Sequence, residues 1–290
     1  FGVAGAALAR TPVRIASRRE TEGVCTPAQK RAERHLTFRL AHAVLTNAEA
    51  IRRGLIAEGV PASKVVTVYN GLDSARVAPR MARAEALDYF GLPRGRRFVS
   101  VVANLNHRVK DQPTFLRAAR RVREAVPEAA FVVAGEGRLM GEYRELAAAL
   151  GISDDVFFTG RCERVGDLLS VSDVCVLSST AEGFSNSILE YMAAARPVVV
   201  TDVGGAREAV SEGETGHVVP PGDDAAMGEH VAALLGDPEA ARRMGERGRR
   251  VVEQKFSCEA QLIATEALYE RLLHGPASSR RVGQMRRESA

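Results

Sequence analysis

Tryptophan is absent, and aromatic residues make up only 5% of the 290-residue chain. The few aromatics do not interleave with basic residues, which argues against a nucleic-acid partner, because single strands bind on stacking platforms. No apolar run reaches the roughly 18 residues that a membrane-spanning helix requires. The apolar stretch from Phe1 to Ala9 has no charged segment before it and makes a poor signal peptide. The four cysteines, Cys25, Cys162, Cys175 and Cys258, form no C-x-x-C pair, so reduced thiols in a cytoplasmic protein are expected. Cys175 falls in an apolar run and reads as core packing. The six histidines show no H-x-x-x-H zinc spacing. No G-x-x-x-x-G-K-[ST] loop occurs, and no repeat of solenoid period is visible.

Charge of one sign is not in excess overall. The net charge is only +4, but its distribution is uneven. Residues 1–70 hold eleven Lys/Arg against five Asp/Glu, and the last sixteen residues hold Arg280, Arg281, Arg286 and Arg287 against Glu288. Such basic ends suit a peripheral contact with an anionic membrane or a phosphorylated acceptor. A solvated basic face explains them equally well.

The chain is organised around the stretch from Ser172 to Pro221. Val174 to Leu177 is an apolar run with strand character, and the loop Ser178 to Gly183 follows it. Ser185 to Ala195 has helical periodicity, and Pro197 to Thr201 is a second, β-branched run. Gly204-Gly205 then opens a further short helix. The alternation predicts an α/β fold with a parallel sheet, whose ligands sit at the carboxyl ends of the strands. Glu182 and Gly183 fall there, just before a helix. Gly183 allows close approach to the backbone. Ser185, Asn186 and Ser187 can cap the helix, whose free N–H groups favour an anion. Glu182 and Glu190, eight residues apart, can address opposite ends of a polyhydroxylated ligand through charge-assisted hydrogen bonds.

The strings E-G-F-S-N-S-I-L-E-Y-M-A, R-P-V-V-V-T-D-V-G-G-A-R-E and E-T-G-H-V-V-P closely resemble glycosyltransferase family 4. The resemblance is strongest over residues 98–222 and weaker onward to Leu273. It implies a GT-B fold of two Rossmann-like parallel-sheet domains, the first of them incomplete here, with about the first third of a family member preceding Phe1. It also implies a retaining glycosyltransferase that uses a nucleoside-diphosphate sugar.

The resemblance assigns roles residue by residue. Glu190 takes the ribose hydroxyls. Glu182, with backbone groups of Gly183, Phe184 and Ser185, holds the sugar. Lys110, at the end of the loop N-L-N-H-R-V-K, contacts the diphosphate together with the N–H groups near Asn186 and Ser187. Asn104 stands where many members have Arg, and Arg108 is the candidate replacement. Backbone groups of Arg161 and Cys162 hold the base. Gly135 and Gly137 close a turn beside the nucleotide. They do not give the dinucleotide motif, because the spacing from Gly137 to Gly141 is one residue too long. A family histidine that contacts the sugar has no counterpart in the loop Arg18-Arg19-Glu20, where Arg18 or Arg19 meets a phosphate or simply faces solvent. No Asp-x-Asp pair is present to hold a divalent ion on the diphosphate, so neither metal nor cofactor is expected.

The rest of the chain supplies the frame. A helix ends near Arg10, Val13 to Ser17 is a strand, and Pro27 to Ala41 is a basic amphipathic helix. Ala43 to Thr46 is a strand whose following Asn47 can cap a helix over 48–58, and Val65 to Tyr69 is another strand. The string Asn70-Gly71-Leu72-Asp73 matches the family's crossing between domains. The expected organisation is residues 1–72 as the remainder of an N-terminal acceptor-side domain and 73–255 as the nucleotide-sugar domain. A helix over 256–274 packs back on the first domain, and 275–290 is a disordered tail. The functional expectation is transfer of a sugar to a saccharide or lipid-linked acceptor. Two alternatives stay open: a donor-binding fragment without turnover, and a nucleotide-sugar epimerase of the same fold.

Overall fold

The computed structural model describes residues 2–20 and 26–274. Cys25, the end of the loop after Arg19, and the expected tail 275–290 with its arginines lie outside the described residues. The chain divides into two compact units, one reaching to Gly71 and resuming at Phe256, the other Leu72–Lys255.

The first unit opens with α1 (Gly2–Leu8), β1 (Ile15–Arg18), α2 (Pro27–Ala32), α3 (Phe38–Leu40), β2 (Ala43–Thr46), α4 (Glu49–Ala57) and β3 (Val65–Thr67). Its three strands run parallel in the order β1-β2-β3. The single basic helix expected over 27–41 is interrupted by a π-helical stretch, Glu33–Thr37. That wider turn brings Glu33 to Arg18 (3.3 Å) and Arg34 to the Glu58 carbonyl (3.2 Å) while Phe38 stays in the core. The cap of α4 is Ala48 rather than Asn47, which is buried.

The second unit contains α5 (Arg83–Tyr89), β4 (Arg97–Val102), α6 (Gln112–Ala125), β5 (Ala129–Ala134), α7 (Met140–Ala149), β6 (Val156–Gly160) and α8 (Val165–Val171). It continues through β7 (Val174–Leu177), α9 (Asn186–Ala193), β8 (Val198–Thr201), α10 (Ala206–Ala209), β9 (Gly216–Val219), α11 (Asp224–Gly236) and α12 (Pro238–Lys255). The six strands form one parallel sheet in the order β6-β5-β4-β7-β8-β9. The sequence therefore yields the expected α/β class with two parallel sheets. The strand not anticipated is β9. It is short, begins with glycine, and lies at the sheet edge, where Gly216 passes against Val198 with no room for a side chain.

Buried apolar runs explain this sheet. Every residue of β5, β7 and β8 is buried, as expected for strands covered on both faces. Alternate residues serve opposite faces. Val99, Val101, Phe131, Val133, Val174 and Val176 join a cluster with residues of α6, α7 and α11. Phe98, Ala130, Val132 and Ala134 join the other cluster, with Leu168 and Val171 of α8.

The final helix, α13 (Cys258–His274), belongs to the first unit. The Gln261 side chain accepts the Gly71 N–H at 3.0 Å, and Tyr69 meets Phe256 edge-on with centroids 5.4 Å apart.

One buried carboxylate holds the start of α5 to α8. Asp167 is 2% exposed, and its Oδ1 accepts the N–H groups of Arg80 (2.6 Å) and Met81 (2.9 Å). Asp167→Ala leaves both donors without that partner, and unfolding in urea should show a loss of about 2–4 kcal/mol. A loss under about 0.5 kcal/mol would show that the two N–H groups find other partners.

Candidate functional site

The strand order reverses direction between β4 and β7. In a parallel sheet this is the switch point, where the loops leaving two neighbouring strands turn to opposite faces and open a crevice. β4 and β7 are registered at only two pairs, Val99–Val174 and Ser100–Cys175, whereas β4 and β5 pair from Arg97 to Val102. The loop after β4 carries Lys110, and the loop after β7 carries Glu182.

The two loops are bound to each other. The Ser178 hydroxyl donates to the Lys110 carbonyl at 2.9 Å, and the Thr180 N–H donates to the Val109 carbonyl at 2.8 Å. Asp111, in the left-handed region at φ 45°, turns the chain into α6, and its carboxylate accepts the Thr114 hydroxyl at 2.6 Å. Aspartate tolerates that conformation better than most residues. Lys110 then meets Glu182. Its Nζ lies 2.6 Å from Glu182 Oε1, with the side chains 19% and 14% exposed. The Ser179 hydroxyl donates to the same oxygen at 2.7 Å. Sequence reading placed Lys110 on a phosphate and Glu182 on a sugar; the structure places them on each other.

Two further loops brace the crevice. The loop after β8 presses on Glu182 and Gly183. Gly205 N–H donates to the Gly183 carbonyl at 2.7 Å, and Gly204, at φ 54°, sits so close that a Cβ there would overlap both carbonyls. The Thr201 hydroxyl donates to the Ser179 carbonyl at 2.6 Å. The loop after β5 crosses under the loop after β4. Gly135, at φ 150°, leaves no space for a Cβ against the Ala103 carbonyl. Gly135 thus acts as a close-approach residue, and no bound group is needed to explain it.

The other candidates distribute unevenly. Ser185 occupies the N-cap of α9 but makes no side-chain cap bond, and the Ser187 hydroxyl donates instead to the Val102 carbonyl at 3.3 Å. The capping expectation therefore fails for these two side chains. Asn186 is exposed, and Phe184 is buried in the core. Arg108 does not join Lys110. Its guanidinium forms a fork on Glu142 of α7, at 2.7 and 2.9 Å, and that carboxylate raises its pKa further. Arg161 is exposed beside Glu163 at 3.5 Å. In the first unit, Arg18 is an internal ion-pair partner of Glu58 (3.0 Å), and Arg19 donates to Asn70.

Glu190 of α9 and Cys162, in the loop after β6, lie near enough to interact electrostatically. Burial pushes the Glu190 carboxyl up from its ordinary value, only partly opposed by Arg76. Burial also raises the Cys162 thiol, and the Glu190 charge adds to the effect. Sequence reading missed Ser179, Thr201 and Gly204. A run of hydroxyl residues directly after a buried strand, Ser178-Ser179-Thr180, was the available signal.

One cluster has metal-ligand chemistry without convergent geometry. Glu212, His217 and His230 offer ligand atoms within 4.8 Å of one another. The imidazoles are stacked, with centroids 4.1 Å apart and 15° between planes. Their lone pairs therefore lie in two nearly parallel planes, whereas a tetrahedral ion needs them to converge on one point. The contact is a Glu212–His217 hydrogen bond of 2.7 Å beneath a second ring.

Residues 83–251, within the second unit, match the sequence profile described as Glycosyl transferases group 1. The chain is 33% identical over 244 residues to alpha-D-kanosaminyltransferase of Streptomyces kanamyceticus, covering 82% of this chain and 62% of that one. It is 29% identical over 213 residues to the lipopolysaccharide core biosynthesis mannosyltransferase LpsB of Rhizobium meliloti, covering 71% and 60%. The chain therefore spans less than two thirds of these relatives. Its fold is similar to that of Anabaena HepE in complex with UDP-glucose, at a TM-score of 0.84, 21% identity, and 93% and 75% coverage. Among the described residues no helix is long and apolar enough to cross a membrane.

Glu190 supplies a test. Its raised pKa means that the folded state favours the protonated form, so its contribution to stability is present below the ordinary carboxylate range and lost as pH rises through the raised value. Glu190→Gln should therefore raise the melting temperature of the ligand-free protein at pH 7, and the gain should shrink as pH falls toward 4.5. A lowered melting temperature at pH 7 would contradict the burial argument.

Proposed function

The chain belongs to the glycosyl transferases group 1 family, and on that premise we propose that it transfers a sugar from a nucleoside-diphosphate sugar to a saccharide or lipid-linked acceptor with retention at the anomeric carbon. The observation that carries the proposal is the Lys110–Glu182 contact across the switch-point crevice. A half-enclosed ammonium and carboxylate, supplied by two different loops, match the two halves of such a donor. The ammonium suits the diphosphate as a point charge, and the carboxylate suits sugar hydroxyls.

Without donor, each group neutralises the other, which avoids an unpaired charge in a site of low exposure. When donor binds, the diphosphate takes Lys110 and the start of α9, where the helix dipole favours negative charge. Sugar hydroxyls donate to Glu182, and Ser179 holds the carboxylate in place. Glu190 receives the ribose hydroxyls, whose hydrogen bonds stabilise its charged form. The base lies beside the backbone of Arg161 and Cys162. The motif resemblance supplies these assignments by position, and the contact between the two loops supports those of Lys110 and Glu182.

In the transfer step, the bond between the anomeric carbon and the diphosphate oxygen breaks. The bond to the acceptor oxygen forms on the same face. The acceptor proton passes to the departing phosphate oxygen, so no separate protein base is required. Lys110 and the N-terminal dipole of α9 stabilise the charge that develops on the leaving group. No metal ion has a role in this scheme. The acceptor class follows the relatives' names and the basic first unit, where Arg34, His35, Arg39 and Lys64 line a cavity of about 390 Å³. A peripheral contact with an anionic membrane fits that basic surface. Absence of co-sedimentation with phosphatidylglycerol vesicles at low salt would contradict it.

A second reading is donor binding without turnover; the chain spans 62% and 60% of these relatives' length. A transfer assay separates the two. With UDP-glucose or GDP-mannose and an oligosaccharide acceptor, product should form at an unchanged rate in EDTA. Glu182→Gln should lower the rate by about 100-fold while leaving circular dichroism unchanged. Nucleotide binding without product supports the second reading, and full activity of Glu182→Gln refutes the role of that carboxylate.

A further inference from the structure

The parting of β4 and β7 leaves a problem at the end of β4. Beyond Ser100 that strand has no registered partner on the β7 side, so its last peptide groups need other hydrogen bonds. Helix α9 supplies them. The Val102 N–H donates to the Tyr191 hydroxyl at 2.7 Å. The Val102 carbonyl accepts the Ser187 hydroxyl at 3.3 Å and lies 3.4 Å from the Tyr191 hydroxyl. Ser187 and Tyr191 are four residues apart and therefore share one helix face. Two side-chain hydroxyls thus stand in for the missing strand.

Tyr191 is suited to this and to little else. Its side chain is fully buried, and burial holds its phenol well above the ordinary pKa, so it stays neutral and both accepts and donates. A phenylalanine would fill the same volume without satisfying Val102. The contact also sits at a junction. Asn104 and the loop ending in Lys110 begin directly after Val102 and Ala103, while Glu190 precedes Tyr191 and the first turn of α9 contains Ser187.

We propose that the Tyr191 and Ser187 hydroxyls form a positioning clamp that fixes the Lys110 loop against the first turn of α9 and thereby sets the affinity for a nucleoside diphosphate. Neither hydroxyl touches the ligand. This rests on the donor reading of the crevice, and it adds a residue that the Glu182–Glu190 pattern does not contain. The ammonium and the helix start must face one anion together. A shift of about 1 Å between them weakens every contact to it.

The experiment is calorimetric titration of the wild-type chain, Tyr191→Phe and Ser187→Ala with UDP and with GDP, well below the melting temperature. A control, Leu235→Ala, removes buried volume from α11, away from the crevice. Tyr191→Phe should bind whichever nucleotide the wild type prefers about tenfold more weakly, and Ser187→Ala about threefold more weakly. Leu235→Ala should lose melting temperature without losing affinity, which separates positioning from general loss of stability. Wild-type affinity in folded Tyr191→Phe overturns the clamp and leaves the donor reading intact. If Tyr191→Phe does not fold, Ser187→Ala decides, and unchanged affinity there overturns the clamp. Failure of the wild type to bind either nucleotide overturns the donor reading and the clamp with it.

Discussion

Two strands that lie side by side at their bases separate at their tips, and the second unit's site follows from that separation. β4 and β7 share only the Val99–Val174 and Ser100–Cys175 pairs because their connections leave toward opposite faces of the sheet. The gap must be closed by something with hydrogen-bonding capacity, since bare peptide groups cannot be buried. Loops and hydroxyls do this: Ser178 on the Lys110 carbonyl, Thr180 on Val109, and Ser187 and Tyr191 on Val102. The result is a pair of loops braced by polar contacts.

Charge in the notch is arranged against the protein's own stability. Glu190 sits where burial disfavours its ionised form, and Arg76 opposes the effect in part. Lys110 and Glu182 are largely withdrawn from water, and each depends on the other. A fold selected for stability alone would place apolar residues here. On the proposed donor reading, a ligand bearing phosphates and hydroxyls exchanges the internal Lys110–Glu182 pair for contacts of its own. The exposed charges differ in kind. Arg108 on Glu142 and Arg161 on Glu163 are solvent-facing pairs, and their loss would change little.

The sheet was legible because its strands are short, β-branched and buried on both faces, a pattern that few other elements share. Val198-Val199-Val200-Thr201 and Val174 to Leu177 are plain in the sequence, and the helix between them follows from period alone. β9 was not legible, because Gly216 and His217 carry no strand preference and its place is set by packing on Val198. Glu182 and Glu190 stood out by their place after a buried strand, but carboxylates at such spacing are common on solvated helices, and their roles and that of Lys110 came from the family pattern. Arg108 was assigned to the wrong neighbourhood because its partner, Glu142, is 34 residues away on a different helix. Ser185 and Ser187 look like caps by composition, yet a buried carbonyl on β4 competes for Ser187. Tyr191 looks like ordinary core, and nothing in one dimension reveals that its hydroxyl faces an unpaired strand end. The resemblance nominated the site, and the tertiary contacts explain how its loops are held.

The central claim is that the Lys110–Glu182 notch receives a diphosphate at the start of α9. A crystal structure of the chain soaked with UDP or GDP tests it most directly. The account predicts phosphate oxygens within hydrogen-bonding distance of Lys110 Nζ and of the first N–H groups of α9, with Glu182 released toward the sugar side. A nucleotide bound elsewhere on the sheet, with the Lys110–Glu182 contact undisturbed, would contradict it.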